Sequence, residues 1–261
     1  MLQAVLCGVN IYRDHPGDTL RGCLNDVANL RRLLVNELGF KQGEVLALAD
    51  SKAIAATEKA AVLSRIVAMG PGDRLVWSHS SHGSNNPDPS QKDGLQELLC
   101  CYDIQEKDGL WDEDTVITAR WIGEAIAKLH PQASMDIFLD CCNAPEGSQL
   151  KAMGRRYDCA KFLPRRLLGM PVKPTTNAAR EAGLPKNVCL WSACEPAQTS
   201  ADAFIDDQWQ GAFSAALTKS FKKGRTRSDI IYYTRKWLKE NGYRQTPHLY
   251  GSPGMTGVRL G

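Results

Sequence analysis

With 261 residues, 43% hydrophobic and 23% charged, the chain suits one large domain or two small ones with a full core, as in a soluble globular protein. No apolar run approaches the roughly 20 residues that span a bilayer. Met1 to Val9 runs straight into a strand pattern without a basic leader, so a signal peptide and a membrane partner are not expected and a cytoplasmic location is. The formal net charge of +3 is uneven: Lys151 to Lys186 holds nine basic and two acidic residues, +7 in all, leaving −4 for the rest. That stretch suggests a nucleic-acid adaptor, but no aromatic interleaving or nucleic-acid motif accompanies it. A basic surface loop is expected instead. The nine cysteines include two adjacent pairs, Cys100-Cys101 and Cys141-Cys142. Neighbours on a strand point to opposite faces and make poor staples, and no CxxC has a matching second half, so reduced and mostly buried thiols are expected.

In chain order, residues 2–9 read as a buried strand and 10–24 as turn-rich. A helix follows from Asn25, with Val27, Leu30, Leu33, Leu34 and Leu38 on one face and Gly39 ending it. Glu44 to Leu48 reads as a short strand, and Asp50 or Ser51 caps a helix to about Ala68. Strands are expected over 75–79, 98–102, 134–139, 187–192 and 246–250, and helices over 118–129, 210–222 and 226–240. Residues 83–97 read as a polar loop, 103–117 as acidic and irregular, and 143–186 as a long loop without a clear period. Strands alternating with helices predict an α/β fold with a mainly parallel sheet covered on both faces.

The strand over 75–79 leads to His82-Gly83 and the strand over 134–139 to Cys142, 60 residues further on. An imidazole beside a thiol favours the reactive thiolate, and sites in open parallel sheets lie just beyond the carboxyl ends of the strands. His79 lies inside its strand and reads as structural. By strand alternation Asp140 and Cys142 share one face, which makes Cys141 a core residue and Cys142 the exposed thiol. Gly83 lets the backbone turn closely about a substrate, and its amide can serve an oxyanion site.

These residues carry a resemblance. His79-Ser80-Ser81-His82-Gly83 is similar to the Tyr-Ser-Gly-His-Gly motif of the caspase-like cysteine peptidases of clan CD, the metacaspases and bacterial caspase homologues of peptidase family C14. Asp140-Cys141-Cys142-Asn143-Ala144-Pro145 is similar to their Asp-x-Cys-His-Ser-Gly. Gly22-Cys23-Leu24-Asn25-Asp26, the Asp93-Gly94 segment, Ser192 to Asp202, Gly211-Ala212-Phe213-Ser214 and Gln245-Thr246-Pro247-His248 match further family segments in order. Ser81 replaces the motif's glycine, and Asn143-Ala144-Pro145 replaces His-Ser-Gly; the histidine and cysteine are kept.

The resemblance implies a single caspase-like domain over 1–261, with a sheet of about six strands. Its parts would be a large-subunit-like 1–142, a basic linker 143–186 and a small-subunit-like 187–261. It implies a cysteine endopeptidase that cleaves protein or peptide substrates after Arg or Lys through an acyl-enzyme. His82 would be the base, Cys142 the nucleophile, and the Gly83 and Cys142 amides the oxyanion donors. Asp26, Asp140 and Ser80 would form the acidic primary pocket, where two carboxylates suit a basic side chain and repel an acidic one. The chemistry requires no cofactor, but many metacaspases need calcium, for which Asp93, Glu97 and Asp103 are the candidates here. The linker offers Arg155, Arg156, Arg165 and Arg166, with Lys173, for activating cleavage by the enzyme itself or by an upstream protease. A catalytically impaired binding module is the alternative.

Overall fold

The structure is a computed structural model that describes residues 1–90, 94–142, 157–161, 163, 184–195 and 198–260, with the side chains of 157 and 158 outside the description. The first strand, β1 (Leu2–Gly8), shows how the core is organised. Ala4 and Leu6 pack into one hydrophobic cluster, while Val5 and Cys7 pack into another on the opposite face. The same division holds along β3 (Arg74–Ser80), with Val76 opposed to Leu75 and Trp77, and along β9 (Ser134–Asp140), with Phe138 opposed to Met135 and Ile137. Strands buried on both faces read as near-continuous apolar runs, as these do.

With β2 (Val45–Ala49), β11 (Val188–Ser192) and β14 (His248–Tyr250), these strands form a six-stranded sheet in the order β14-β11-β9-β3-β1-β2. Every pairing is parallel except β11 with β14. This is the α/β fold expected from the alternation of strands and helices. Helix α1 (Cys23–Glu37) buries Val27, Leu30 and Leu34, one helical face, on the Leu6 side of the sheet. Helix α2 (Ala55–Ala68) buries Val62 and Ile66 on the Trp77 side, where α3 (Ala119–Ile126) joins it through Ala125 and Ile126. Helices α4 (Ala212–Ser220) and α5 (Arg227–Glu240) join α1 through Phe213, Leu217, Ile230 and Ile231, and the short α6 (Pro253–Thr256) follows β14. No helix among the described residues is long and apolar enough to cross a membrane. All nine cysteines are free, and all but Cys159 are buried.

Four expectations are corrected. Residues 83–97 are not simply a loop. They contain β4 (Gly83–Pro87), which pairs antiparallel with β5 (Leu95–Cys100), itself paired with β8 (Val116–Thr118). Two polar side chains of β4 are satisfied internally: Asn86 exchanges hydrogen bonds with the Trp111 backbone, and Ser84 accepts one from the Trp111 indole. Residues 103–117 hold a small pairing of β6 (Glu106–Lys107) with β7 (Leu110–Trp111). Helix α2 starts later than expected, and its first amide, Ala55, donates to the Asp103 carboxylate rather than to a residue just before it. Finally, the 143–186 stretch contains a strand, β10 (Tyr157–Ala160). It pairs with β12 (Ala201–Ile205), which forms a hairpin with β13 (Gln208–Gly211). Asp206 and Asp207 turn that hairpin with φ of 50° and 61°.

The clearest single tie between sheet and helices is Asp136, fully buried on β9. It accepts from the Nε and Nη2 of the Arg227 guanidinium, each at 2.7 Å, and from the Trp191 indole at 3.0 Å. Removing one partner of such a pair strands a buried charge. Replacing Arg227 with Met is expected to lower the unfolding free energy by about 3–5 kcal/mol, measured by urea denaturation. A change below about 1 kcal/mol would contradict this assignment.

Candidate active site

The parallel register of β3 and β9 sets Ser80 directly opposite Asp140. Two residues beyond each, at the carboxyl ends of the strands, stand His82 and Cys142. The two motifs thus meet at one rim of the sheet.

His82 is 4% exposed. Its amide donates to the Tyr12 hydroxyl at 2.8 Å, and its ring lies 5.4 Å from the Tyr12 ring, centroid to centroid. Its Nε2 lies 2.8 Å from the Asp18 carbonyl oxygen. A carbonyl can only accept, so Nε2 carries the proton in the neutral ring and Nδ1 presents a lone pair. Nδ1 is buried and has no hydrogen-bond partner among the described residues. Burial lowers the His82 pKa from the ordinary 6.5 to about 4, against the pull of the Asp18 carbonyl. Burial also pushes the Cys142 thiol well above its usual range, with Cys194 adding to the effect. In this arrangement both groups are neutral rather than a resting ion pair.

The sequence reading expected Cys142 to be exposed; it is 1% exposed. The reason is the chain's own 157–161 segment. Lys161 places its carbonyl oxygen 3.0 Å from the Gly83 amide and 3.1 Å from the Cys142 amide. Both predicted oxyanion donors therefore converge on one atom. On one side of Lys161, its amide donates to the Ser200 carbonyl at 3.0 Å, continuing the pairing of β10 with β12. On the other, the Leu163 amide donates to the Gly83 carbonyl at 3.0 Å, and the Ser84 hydroxyl donates to the Leu163 carbonyl at 2.7 Å.

The Lys161 side chain runs down into the three predicted pocket residues and is fully buried. Its Nζ lies 2.9 Å from Asp26, 2.8 Å from the Ser80 hydroxyl and 3.3 Å from Asp140. Burial alone would depress the ammonium, but Asp140 and Asp26 outweigh it and hold its pKa well above the ordinary value. Burial raises the Asp26 carboxyl to about 6, with Lys161 pulling it down and Asp140 adding to the rise.

Comparisons with known proteins give the family and the fold. The family described as "Metacaspase, peptidase C14 domain" matches residues 2–151, more than half of the chain. The chain belongs to the metacaspase family. Among curated relatives, Metacaspase-1B of Aspergillus fumigatus is 24% identical over 290 residues, covering 95% of this chain and 68% of the relative. Metacaspase-1A of the same species is 24% identical over 288 residues, with the same coverage. A crystal structure of protein GSU0716 from Geobacter sulfurreducens covers 99% of this chain and 97% of its own at a TM-score of 0.69 and 20% identity, a likeness of fold.

Metacaspase resemblance also implied calcium. Of its candidate ligands, Asp93 lies outside the described residues, and Asp103 is engaged by the amide that opens α2. Glu97 sits on β5, opposite Asn85. Among the described residues, the one gathering of three donor side chains is Cys7, Glu58 and His79, fully buried and far from an all-oxygen calcium cage. Among the described residues, Asp103 and Glu97 are not gathered into a cluster of three donor side chains. His79 is structural, as expected, with Nδ1 on Glu58 and Nε2 on the Ser81 hydroxyl. The processing candidates Arg155, Arg156, Arg165 and Arg166, with Lys173, lie outside the described residues.

Sequence reasoning missed Lys161, which stood out only as one of nine basic residues, and it missed Tyr12 and Asp18, which lie in a turn-rich stretch without a motif. Ser200 and Ser214 were within family-like segments but carried no role. Ser200 donates to Asp140 at 2.8 Å, and Ser214 donates to the same carboxylate through its hydroxyl at 2.6 Å and its amide at 3.1 Å.

The depressed His82 pKa makes a signed prediction. Between about pH 6.5 and 4 the unfolded chain holds a proton on this ring that the folded chain refuses. The stability it confers is complete above about 6.5 and is lost as the pH falls through 4, by up to about 3 kcal/mol. The raised Asp26 acts in the opposite direction over its own range, so wild type must be compared with His82→Gln. From pH 7 to 4.5, wild type is expected to lose about 2 kcal/mol more than the variant in urea denaturation; parallel losses would contradict it.

Proposed function

We propose that this metacaspase-family protein is a cysteine endopeptidase cutting after basic residues, held closed by its own linker and activated by cleavage of the bond between Lys161 and Phe162. The observation that carries this reading is Lys161 itself. A basic side chain fills the acidic pocket while the carbonyl of the same residue accepts from the Gly83 and Cys142 amides. A substrate's reacting residue needs both features at once.

The chemistry follows from the groups present. The Cys142 thiol gives its proton to Nδ1 of His82 as sulfur attacks the Lys161 carbonyl carbon. Negative charge develops on the carbonyl oxygen, where the two amides already point. The imidazolium then donates its proton to the nitrogen of Phe162 as the peptide bond breaks, leaving a thioester on Cys142. Water, deprotonated by His82, hydrolyses the thioester and leaves a carboxylate on Lys161 with the thiol restored. The Asp18 carbonyl orients the ring and favours the imidazolium. The same steps serve protein substrates once the linker has left. Calcium enters as an activator to be tested and is assigned no ligands.

The alternatives draw no comparable support. A nucleic-acid adaptor needs its basic groups in solvent, whereas Lys161 of the basic stretch is buried among carboxylates.

The test is self-cleavage of the full chain, with and without calcium, followed by intact-mass measurement. Fragments 1–161 and 162–261 are expected for wild type, none for Cys142→Ala, and at least tenfold slower cleavage at this bond for Lys161→Ala. Peptides ending in Arg or Lys should then be hydrolysed by the cleaved protein. A chain that stays intact, and that hydrolyses no basic peptide after being nicked in the linker by an added protease, would sink the reading.

A further inference from the structure

We propose that the pocket selects lysine over arginine, and that Gly211 and Ser214 set this preference; the proposal rests on the peptidase reading of the site. The first observation is how the ammonium is held: Lys161 Nζ donates to Asp26 Oδ2 and to the Ser80 hydroxyl, and forms an ion pair with Asp140 Oδ1 at 3.3 Å. The second concerns the oxygens that are left. Asp26 Oδ1 accepts from the Gly211 amide at 2.8 Å. Asp140 Oδ2 accepts from both the amide and the hydroxyl of Ser214. Each carboxylate thus turns one oxygen to the ammonium, where that oxygen also accepts from Ser80 or Ser200, and keeps the other wholly on protein donors.

A guanidinium needs the opposite arrangement. It is a planar fork of five donors that pairs best with both oxygens of one carboxylate. Here neither carboxylate offers both. Arginine also carries its terminal nitrogens one bond beyond the position of a lysine Nζ, and the floor leaves little room there. A Cβ built on Gly211 would stand 2.6 Å from Lys161 Nζ and 2.0 Å from Asp140 Oδ2, so the glycine backbone already packs close against the ammonium. Beside the carboxylates lies a cavity of about 20 Å³, bordered by Leu30, Phe138, Phe213 and Leu217 as well as by Ser78, Ser214 and Thr218. That volume is about one water molecule's, too small for a guanidinium to enter without displacing the lining.

The experiment has two arms. In the first, the full chain after linker cleavage is given matched fluorogenic peptides that differ only in a terminal Lys or Arg. A kcat/KM at least tenfold higher for lysine is expected, and Ser214→Ala, which frees part of Asp140 Oδ2, should narrow that ratio at least threefold. Equal rates or a preference for arginine would overturn the selectivity while leaving the peptidase reading intact. An unchanged ratio in Ser214→Ala would overturn the role of Ser214.

The second arm needs no turnover. In full-length Cys142→Ala, hydrogen exchange of the amides at 83 and 142 reports whether the linker is seated. Adding Lys161→Arg should speed their exchange at least tenfold, and equal protection would overturn the selectivity. Hydrolysis of neither peptide would count against the peptidase reading, and this arm would still decide the pocket's preference.

Discussion

Two carboxylates, Asp26 and Asp140, are buried at the same end of the sheet, each about 3% exposed. Like charges removed from water and held together require a cation, because desolvation and mutual repulsion both act against them. Lys161 supplies that cation. The linker is therefore seated by an electrostatic demand of the pocket, and its backbone follows the side chain into the cleft. With that side chain seated, the Lys161 carbonyl meets the amides of Gly83 and Cys142. The demand for a cation also makes docking self-limiting: a ligand that brings no cation leaves the carboxylates uncompensated.

The fold supplies the geometry through register. β3 and β9 end level with one another, so Ser80 and Asp140 face each other and the next residues turn out over the rim. Asp26 reaches the same point from the first turn of α1, across the end of β1. Gly22, just before that helix, lies so close to Asp202 and Gln210 that a Cβ there would stand 2.2 Å from the Asp202 carboxylate. The β12–β13 hairpin can then pack against α1 and bring Gly211 to the floor. Each pocket residue is held by an element whose other face belongs to a hydrophobic cluster, so the site rests on rigid parts.

Much of this was legible in the sequence where one physical signal dominated. The buried strands show as continuous apolar runs and α1 shows as an amphipathic period, and their alternation made the parallel sheet readable. His82 and Cys142 were readable because each follows such a strand and is itself polar or reactive. β4 was not, because Gly-Ser-Asn-Asn-Pro is a loop composition and its pairing depends on Trp111, 25 residues from Asn86. The β12–β13 hairpin turns on Asp206-Asp207 rather than on a glycine, and a pair of aspartates in left-handed conformation is a weak local signal. Lys161 was the hardest case. Its role depends on Asp26, 135 residues away, and a basic residue among other basic residues has no local mark.

The pairing of β10 with β12 has one more consequence. It is made through backbone groups. If the strand departs, β12 becomes the free edge of a two-stranded ribbon, with amides and carbonyls that an incoming chain can pair with in the same way. Recognition through an open edge reads conformation before it reads sequence. A lysine fixed in a helix presents no backbone to such an edge, whereas the same lysine in an extended or unravelled stretch does. On the proposed reading, selection among lysines would then depend on the local folding state of a target as well as on the residues around them.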